Sequence, residues 1–452
     1  MEACIRYDDS CAIATPYGVG AISIIRCSGE NSIKLVNSVF KGKNLCEVSA
    51  NTINYGYIVD NSDIVDEVMV SVFHAPHSFT SENSCEISCH GGIYNTNRVL
   101  EVLLSNGFRL AEPGEFSKRA FLNGRIDLTE AEAIMDIISS SNAVALKSAI
   151  NSLRSGTKNL VDSLREELFS IIGQIEVNID YPEYYDVEVM TNEIILPPLL
   201  KMIERLKDII RHSNISKMAI HGIKTAIIGR PNVGKSSILN MLLDEDKAIV
   251  TDIEGTTRDL VEGKLSLGNV TLDLIDTAGI REKFQDAVEQ IGIEKSKKLI
   301  EEAELILLVL DSSADLTDTD KLLLDMTSDK KRIIIANKSD KENKINISDA
   351  LYVSTKLKSG LYDLEERIMD ICKLNEFNVT DQNYTSNVRH IVLLKKALES
   401  LEHAKESCKN LMGVDIVEID LKEAWDTMAE ITGENNPSEL LDKMFKKFCL
   451  GK

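Results

Sequence analysis

The sequence lacks any run of about 18 uninterrupted apolar residues, so no membrane-spanning helix is expected. It opens Met1-Glu2-Ala3-Cys4, with no basic segment leading into an apolar one, and no secretory signal is read there. Its nine cysteines follow no framework spacing, which fits a reducing cytosol better than a disulfide scaffold. A cytoplasmic location is therefore expected. Positive charge is in short supply: 51 Lys and Arg stand against 72 Asp and Glu, a net charge of −21. That balance argues against a general nucleic-acid binder, since phosphate contacts dominate such affinity. RNA would have to meet a local basic patch or be presented by a basic partner. What remains is an ordinary globular composition, 43% apolar and 27% charged, in 452 residues. That length suits about three domains.

The stretch with the sharpest chemistry is Gly229-Arg230-Pro231-Asn232-Val233-Gly234-Lys235-Ser236-Ser237. It lies between a β-rich run (225–228) and a helix-like run (238–243), the context that a G-x-x-x-x-G-K-S phosphate loop requires. Glycines let backbone N–H groups close around phosphate oxygens. Lys235 can reach the β- and γ-phosphates, and the Ser236 hydroxyl can ligate Mg²⁺. The helix that follows turns its positive end to the same anion. Around this loop, residues 222–378 alternate strand and helix, and the strands at 270–275, 305–310 and 333–336 are continuously apolar. Such runs predict a parallel sheet covered on both faces, with ligand at the strand ends.

Four further motifs follow in the order of a guanine-nucleotide switch. Gly255-Thr256-Thr257-Arg258-Asp259 offers a hydroxyl or carbonyl to Mg²⁺ and the γ-phosphate. In Asp276-Thr277-Ala278-Gly279, Asp276 can hold Mg²⁺ through water and the Gly279 N–H can sense the γ-phosphate. In Asn337-Lys338-Ser339-Asp340, Asp340 can accept N1–H and the 2-amino group of guanine, which adenine cannot supply. Ser354-Thr355-Lys356 can offer a backbone N–H to guanine O6. Together they predict a GTPase. The residue after Asp-Thr-Ala-Gly is Ile280, so the glutamine that orients water in Ras-like enzymes is missing. Glu289 is the nearest carboxylate with plausible reach; a solvated helix carboxylate is the alternative.

Ahead of this domain, residues 1–120 read as mixed α/β, with two β runs joined by a Pro/Gly turn between 12 and 26, strands at 68–74 and 85–90, and a helix at 95–105. Arg26 ends an apolar strand. It either meets a partner or an anionic ligand, or reaches solvent at an edge. His74, His77, Cys85, Cys89 and His90 match no zinc-ribbon or finger spacing and read as structural. From Asp127 the pattern is helical, opened by capping-box spacing from Asp127 to Glu130. Helices are expected to about 177, again over 193–212, and after 385, with a start signal at Asn436-Pro437-Ser438-Glu439. An acidic loop falls at 183–186. The order helix, α/β domain, helix predicts an insertion: residues 1–120, a helical domain of 121–217 plus 379–452, and the inserted domain 218–378.

The layout and motifs resemble the tRNA-modification GTPases called MnmE or TrmE across essentially the whole chain. Ala14-Thr-Pro-Tyr-Gly-Val-Gly-Ala-Ile, Arg26-x-Ser-Gly29, Ser78-Phe-Thr-Ser-Glu82, His90-Gly-Gly92 and the run from Pro113 to Leu128 carry the resemblance. So do Asn232, Thr251-Asp252-Ile253-Glu254-Gly255-Thr256-Thr257-Arg258-Asp259 and Cys449-Leu-Gly-Lys452. The resemblance implies a multidomain fold: an N-terminal α/β folate-binding-like and dimerising domain, a long-helix domain, and a Ras-like G domain that pairs in K⁺. It implies a nucleotide site of Asn232 to Ser237, Thr251 to Thr257, Asp276 to Gly279 (with Thr277 and Ala278), Asn337, Lys338, Asp340 and Ser354 to Lys356. Ser236 and Thr257 match the Mg²⁺ ligands, and Asn232, Thr251, Ile253 and Thr256 the K⁺ ligands. Glu289 matches the water-orienting residue, and Lys235 the phosphate lysine. Arg26, Glu82, Arg125 and Lys452 match contacts to a 5-formyl- or 5,10-methylene-tetrahydrofolate; position 125 is Lys in much of the family pattern. The family works as a homodimer with the FAD-dependent MnmG (GidA). It places a carboxymethylaminomethyl or aminomethyl group on C5 of the tRNA wobble uridine. Cys449 is either a catalytic thiol or an exposed cysteine. The competing readings are a ribosome-assembly GTPase without modification activity and a folate transferase with a regulatory GTPase insert.

Overall fold

The computed structural model of the protein describes residues 8–140, 143–180, 190–243, 263–267, 270–275, 297–372, 384–434, 438–446, 448 and 450–451. The acidic loop at 183–186, Thr251 to Thr257, Asp276 to Gly279, Glu289, Cys449 and Lys452 lie outside the described residues. The chain packs as two compact units. The first is Met1–Ser139, Ser152–Val161 and Met428–Lys452, and the second Ser140–Asn151 and Asp162–Thr427. Segments of the expected helical domain thus fall in both. Among the described residues no helix is long and apolar enough to cross a membrane.

The first unit is built on β1 (Ser10–Ile13), β2 (Ile22–Ser28), α1 (Ser32–Val39), β3 (Phe40–Lys41), β4 (Thr52–Asp60), β5 (Asp63–Phe73), β6 (Ser84–His90), α2 (Ile93–Ser105), β7 (Arg109–Leu110), α3 (Glu115–Leu122) and α4 (Leu128–Ser139). Seven strands form one sheet in the order β3-β4-β5-β6-β2-β1-β7, antiparallel except for β1 with β7. Period-2 alternation decides its two faces. Ile25, Cys27, Val68, Val70, Val72, Cys85, Ile87 and Cys89 point into a core closed by Ile33 and Val36 of α1 and Val99 and Leu103 of α2. On the opposite face the register aligns Ile53, Ser71, Glu86, Arg26 and Ala12 in one row across five strands. Cys85 and Cys89 are buried, His74 Nε2 lies 3.1 Å from the Val48 carbonyl, and His90 Nδ1 lies 2.7 Å from Asp66.

The expected capping box is in place: Glu130 N–H donates to Asp127 Oδ1 and Asp127 N–H to Glu130 Oε2, each at 2.9 Å. It starts α4, whose Leu128 and Ala131 pack with Ala120 of α3 and Phe445 of the last helix.

The second unit holds most of α5 (Ala143–Leu153) and α6 (Gly156–Asp180), α7 (Asn192–His221), β8 (Ile223–Ile228), α8 (Lys235–Leu243), β9 (Gly263–Leu267), β10 (Val270–Leu274), β11 (Leu305–Asp311), α9 (Asp318–Met326), β12 (Arg332–Asn337), β13 (Ala350–Tyr352), α10 (Leu361–Ile371), α11 (Val388–Lys409) and most of α12 (Val414–Thr432). The last helix, α13 (Ser438–Phe445), belongs to the first unit. Six strands run β13-β12-β11-β8-β10-β9, parallel except for β9. β11 has a buried side chain at each position from Leu305 to Leu310, because the sheet is covered on both faces. α7 runs past the expected end at 212 to His221. Ser213 and Ser216, polar in sequence, are buried there, and Gly222, at φ +93, closes the helix with its N–H on the Met218 carbonyl. α7 packs along α11, and buried apolar residues recur at helical spacing on each, Leu199, Ile203 and Leu206 on α7 and Leu394, Ala397 and Leu401 on α11.

Candidate functional site

The parallel strands β8, β11 and β12 end together, and the Gly229–Lys235 loop leaves the first of them. Lys235 Nζ donates to the Gly229 carbonyl at 2.6 Å and the Arg230 carbonyl at 2.9 Å, so the ammonium is folded into its own loop. Burial holds its pKa below the usual lysine range. Gly234 is required twice over: its φ is +101, and a Cβ would sit 2.2 Å from Asn337 Nδ2. That amide donates to the Val233 carbonyl at 2.9 Å, while its oxygen accepts the Thr355 N–H at 3.4 Å. Asn337 therefore ties the phosphate loop to the Ser354-Thr355-Lys356 segment. Lys338 adds a second tie, donating to the Asn232 carbonyl at 3.0 Å and to Asp311 Oδ2 at 2.6 Å.

Asp340 Oδ1 accepts the Ser354 hydroxyl at 2.9 Å, which orients an exposed carboxylate. The Ser354 N–H donates to the Ser359 carbonyl at 3.3 Å and the Thr355 N–H to Asn337 Oδ1 at 3.4 Å. The Lys356 N–H has no acceptor among the described residues. Ser236 and Ser237 are exposed on the first turn of α8. Arg230 was not picked out from the sequence. Its Nε lies 3.0 Å from Asp320 Oδ2, and the same oxygen closes the capping box of α9 with Thr317. The cradle fits a polyphosphate: close backbone, a seated ammonium and a helix N-terminus.

A second candidate site lies in the first unit. A cavity of about 530 Å³ is lined by Arg26, Asn51, Phe73, Phe79, Glu86 and Arg125, among others. Arg26 is met by its cross-strand neighbour Glu86, Nε and Nη2 lying 3.0 and 2.9 Å from Oε1. Its guanidinium lies 5.0 Å from the centre of the Phe79 ring, and that of Arg125 lies 5.3 Å from the same ring. Two cations thus share one aromatic side chain at the cavity wall. Glu82 does not line the cavity. Its Oε2 takes the Ser28 hydroxyl at 2.8 Å and Arg119 Nη1 at 3.0 Å, and its Oε1 has no partner among the described residues.

Arg119 is fully buried and also binds Glu115, at 2.6 Å, and the Asp8 carbonyl, at 2.7 Å. Sequence reasoning missed both Glu86 and Arg119. Burial pushes the Glu115 carboxyl up, but hydrogen bonds from Arg109 and Arg119 outweigh it and bring it to about 2 from an ordinary 4.5. A carboxyl lowered by folding stabilises above its unfolded pKa, and that stability is lost as pH falls through the folded one. The loss, roughly 3 kcal/mol, is expected between about pH 4.5 and 2. Thermal midpoints measured over that range should fall more steeply for the native chain than for Glu115→Gln; equal slopes would contradict it.

The sheet, the phosphate loop and the Asn-Lys-x-Asp turn define a P-loop GTPase, and a separate cavity-bearing unit accompanies it. The MnmE helical domain family matches residues 128–449, and the family described as the GTP-binding protein TrmE N-terminus matches 10–125. The tRNA modification GTPase MnmE of Acholeplasma laidlawii (strain PG-8A) is 50% identical over 449 residues, covering 99% of this chain and 100% of its own. That of Streptococcus thermophilus (strain CNRZ 1066) is 49% identical over 457 residues, with 100% of both chains covered. Among solved structures, the G domain of the T. maritima FeoB iron transporter matches 33% of this chain and 98% of its own, at 26% identity and TM-score 0.24. The chain belongs to the MnmE family of tRNA modification GTPases, and is a GTP-hydrolysing enzyme of tRNA modification.

Proposed function

We propose that GTP hydrolysis in the second unit is coupled to one-carbon chemistry housed in the first. In this reading a tetrahydrofolate occupies the cavity. The enzyme, with an FAD-dependent partner of the MnmG (GidA) type, builds a carboxymethylaminomethyl or aminomethyl group on C5 of the wobble uridine. The observation that carries the reading is the pair of guanidiniums, Arg26 and Arg125, that both meet the wall residue Phe79. Such a wall suits a flat ring system bearing carboxylates. Glu82 keeps one oxygen for a ligand, and Lys452 is the fourth contact in this proposal. The division into 1–120, 121–217 with 379–452, and 218–378 belongs to the same reading.

In the nucleotide site, Ser236 and Thr257 hold Mg²⁺, and Asn232, Thr251, Ile253 and Thr256 hold K⁺. The two ions supply positive charge to the phosphates. Glu289 orients water in place of the glutamine that Ile280 displaces. Support for the K⁺ ligand comes from Asn232 itself. Its backbone is left-handed, at φ +65, its carbonyl is committed to Lys338, and its exposed amide has no partner among the described residues. Homodimerisation is supported by the outer sheet face, where Ile22, Ile53, Tyr55 and Met69 are all exposed. The test compares GTP hydrolysis in K⁺ and in Na⁺. Faster turnover in K⁺, with the difference abolished in Asn232→Ala, is expected. Equal rates in both salts would refute the K⁺ assignment.

A further inference from the structure

We propose that Gly451 is a positioning residue for the cavity, acting through Arg26; the proposal rests on the folate reading. Three observations converge on it. Gly451 is buried and left-handed, at φ +85. A Cβ there would sit 2.4 Å from the Ile13 carbonyl oxygen and 2.8 Å from the Ala14 Cα, and both are backbone atoms that cannot swing aside. Its own carbonyl accepts Arg26 Nη1 at 3.3 Å.

The consequence lies in how a guanidinium is oriented. Glu86 takes one edge of Arg26, through Nε and Nη2, and Phe79 takes a face. Those contacts leave Nη1, and Gly451 occupies it. With the 450–451 segment seated at the end of β1, the guanidinium plane is held from two sides. With the segment lifted, Arg26 pivots about Glu86. The glycine is therefore needed for close backbone approach, not for flexibility.

The experiment uses the full chain. Hydrogen exchange of the peptide ending at residue 452 is measured for the native protein, Gly451→Ala, Gly451→Asn and Arg26→Gln, together with 5-formyl-tetrahydrofolate affinity. Exchange is expected to quicken about tenfold in all three variants, and affinity to fall about tenfold in both glycine variants, the value of one charge-assisted hydrogen bond. Asn tolerates the left-handed backbone but brings a Cβ, so native behaviour in Gly451→Asn would overturn the close-approach argument. Native exchange in Gly451→Ala, or faster exchange with native affinity, would overturn the positioning role. Arg26→Gln removes the charged guanidinium fork and shortens the side chain without a clash, and reads the same contact should Gly451→Ala fold poorly. If the native chain itself binds no folate, the folate reading fails, and exchange alone decides whether the contact exists.

Discussion

Lys235→Ala is expected to slow GTP hydrolysis by about 10²–10³-fold at saturating nucleotide, the cost of removing one preorganised charge from a developing phosphate centre. The magnitude follows from how the ammonium is held. The Gly229 and Arg230 carbonyls accept it at 2.6 and 2.9 Å, which keeps the charge at the phosphate loop. Burial works the other way, lowering the lysine pKa. Lys235→Arg should not restore the rate, because a planar fork cannot reproduce a point donor between two carbonyls. Single-turnover rates decide the matter; Lys235→Ala within threefold of native would contradict it.

Arg119→Met is the second large effect, and it falls on stability. Arg119 is fully buried and answers two carboxylates, Glu82 and Glu115. Removing one partner of a buried ionic network leaves uncompensated charge and costs about 3–5 kcal/mol. A domain of this size should lose about 10 °C or more in its thermal midpoint. Adding Glu115→Gln to Arg119→Met should recover part of the loss, since it deletes one of the stranded charges. Calorimetry of the full chain tests this through the transition of the first unit; a loss under about 1 kcal/mol would contradict it.

How much of this was legible in the sequence depended on chain distance. The phosphate loop was readable because its parts lie within nine consecutive residues, each with a chemical reason for its place. β11 was readable because a strand buried on both faces is apolar throughout, and α4 because Asp127 and Glu130 cap it locally. β4 was not, since its outward Ile53, Tyr55 and Tyr57 alternate with Asn54 and Gly56, and an apolar count alone misses such a strand. α1 is short and its Asn31 makes no side-chain cap, so no start signal marks it. The Arg26–Glu86 pair spans 60 residues and depends on antiparallel register, while the Arg26–Gly451 contact spans 425. No local pattern encodes either. Ser354 illustrates a finer limit: its motif was recognised, but only the fold reveals that its N–H donates to Ser359.

The central claim is that a folate in the Arg26–Arg125 cavity supplies the carbon placed on the tRNA. The most direct measurement supplies the enzyme, its flavin partner, GTP, K⁺ and substrate tRNA with methylene-tetrahydrofolate carrying ¹³C at the transferable carbon. The wobble nucleoside is then weighed. The account predicts one additional mass unit in the modified uridine, lost in Arg26→Ala. A modified uridine formed at its unlabelled mass would contradict it.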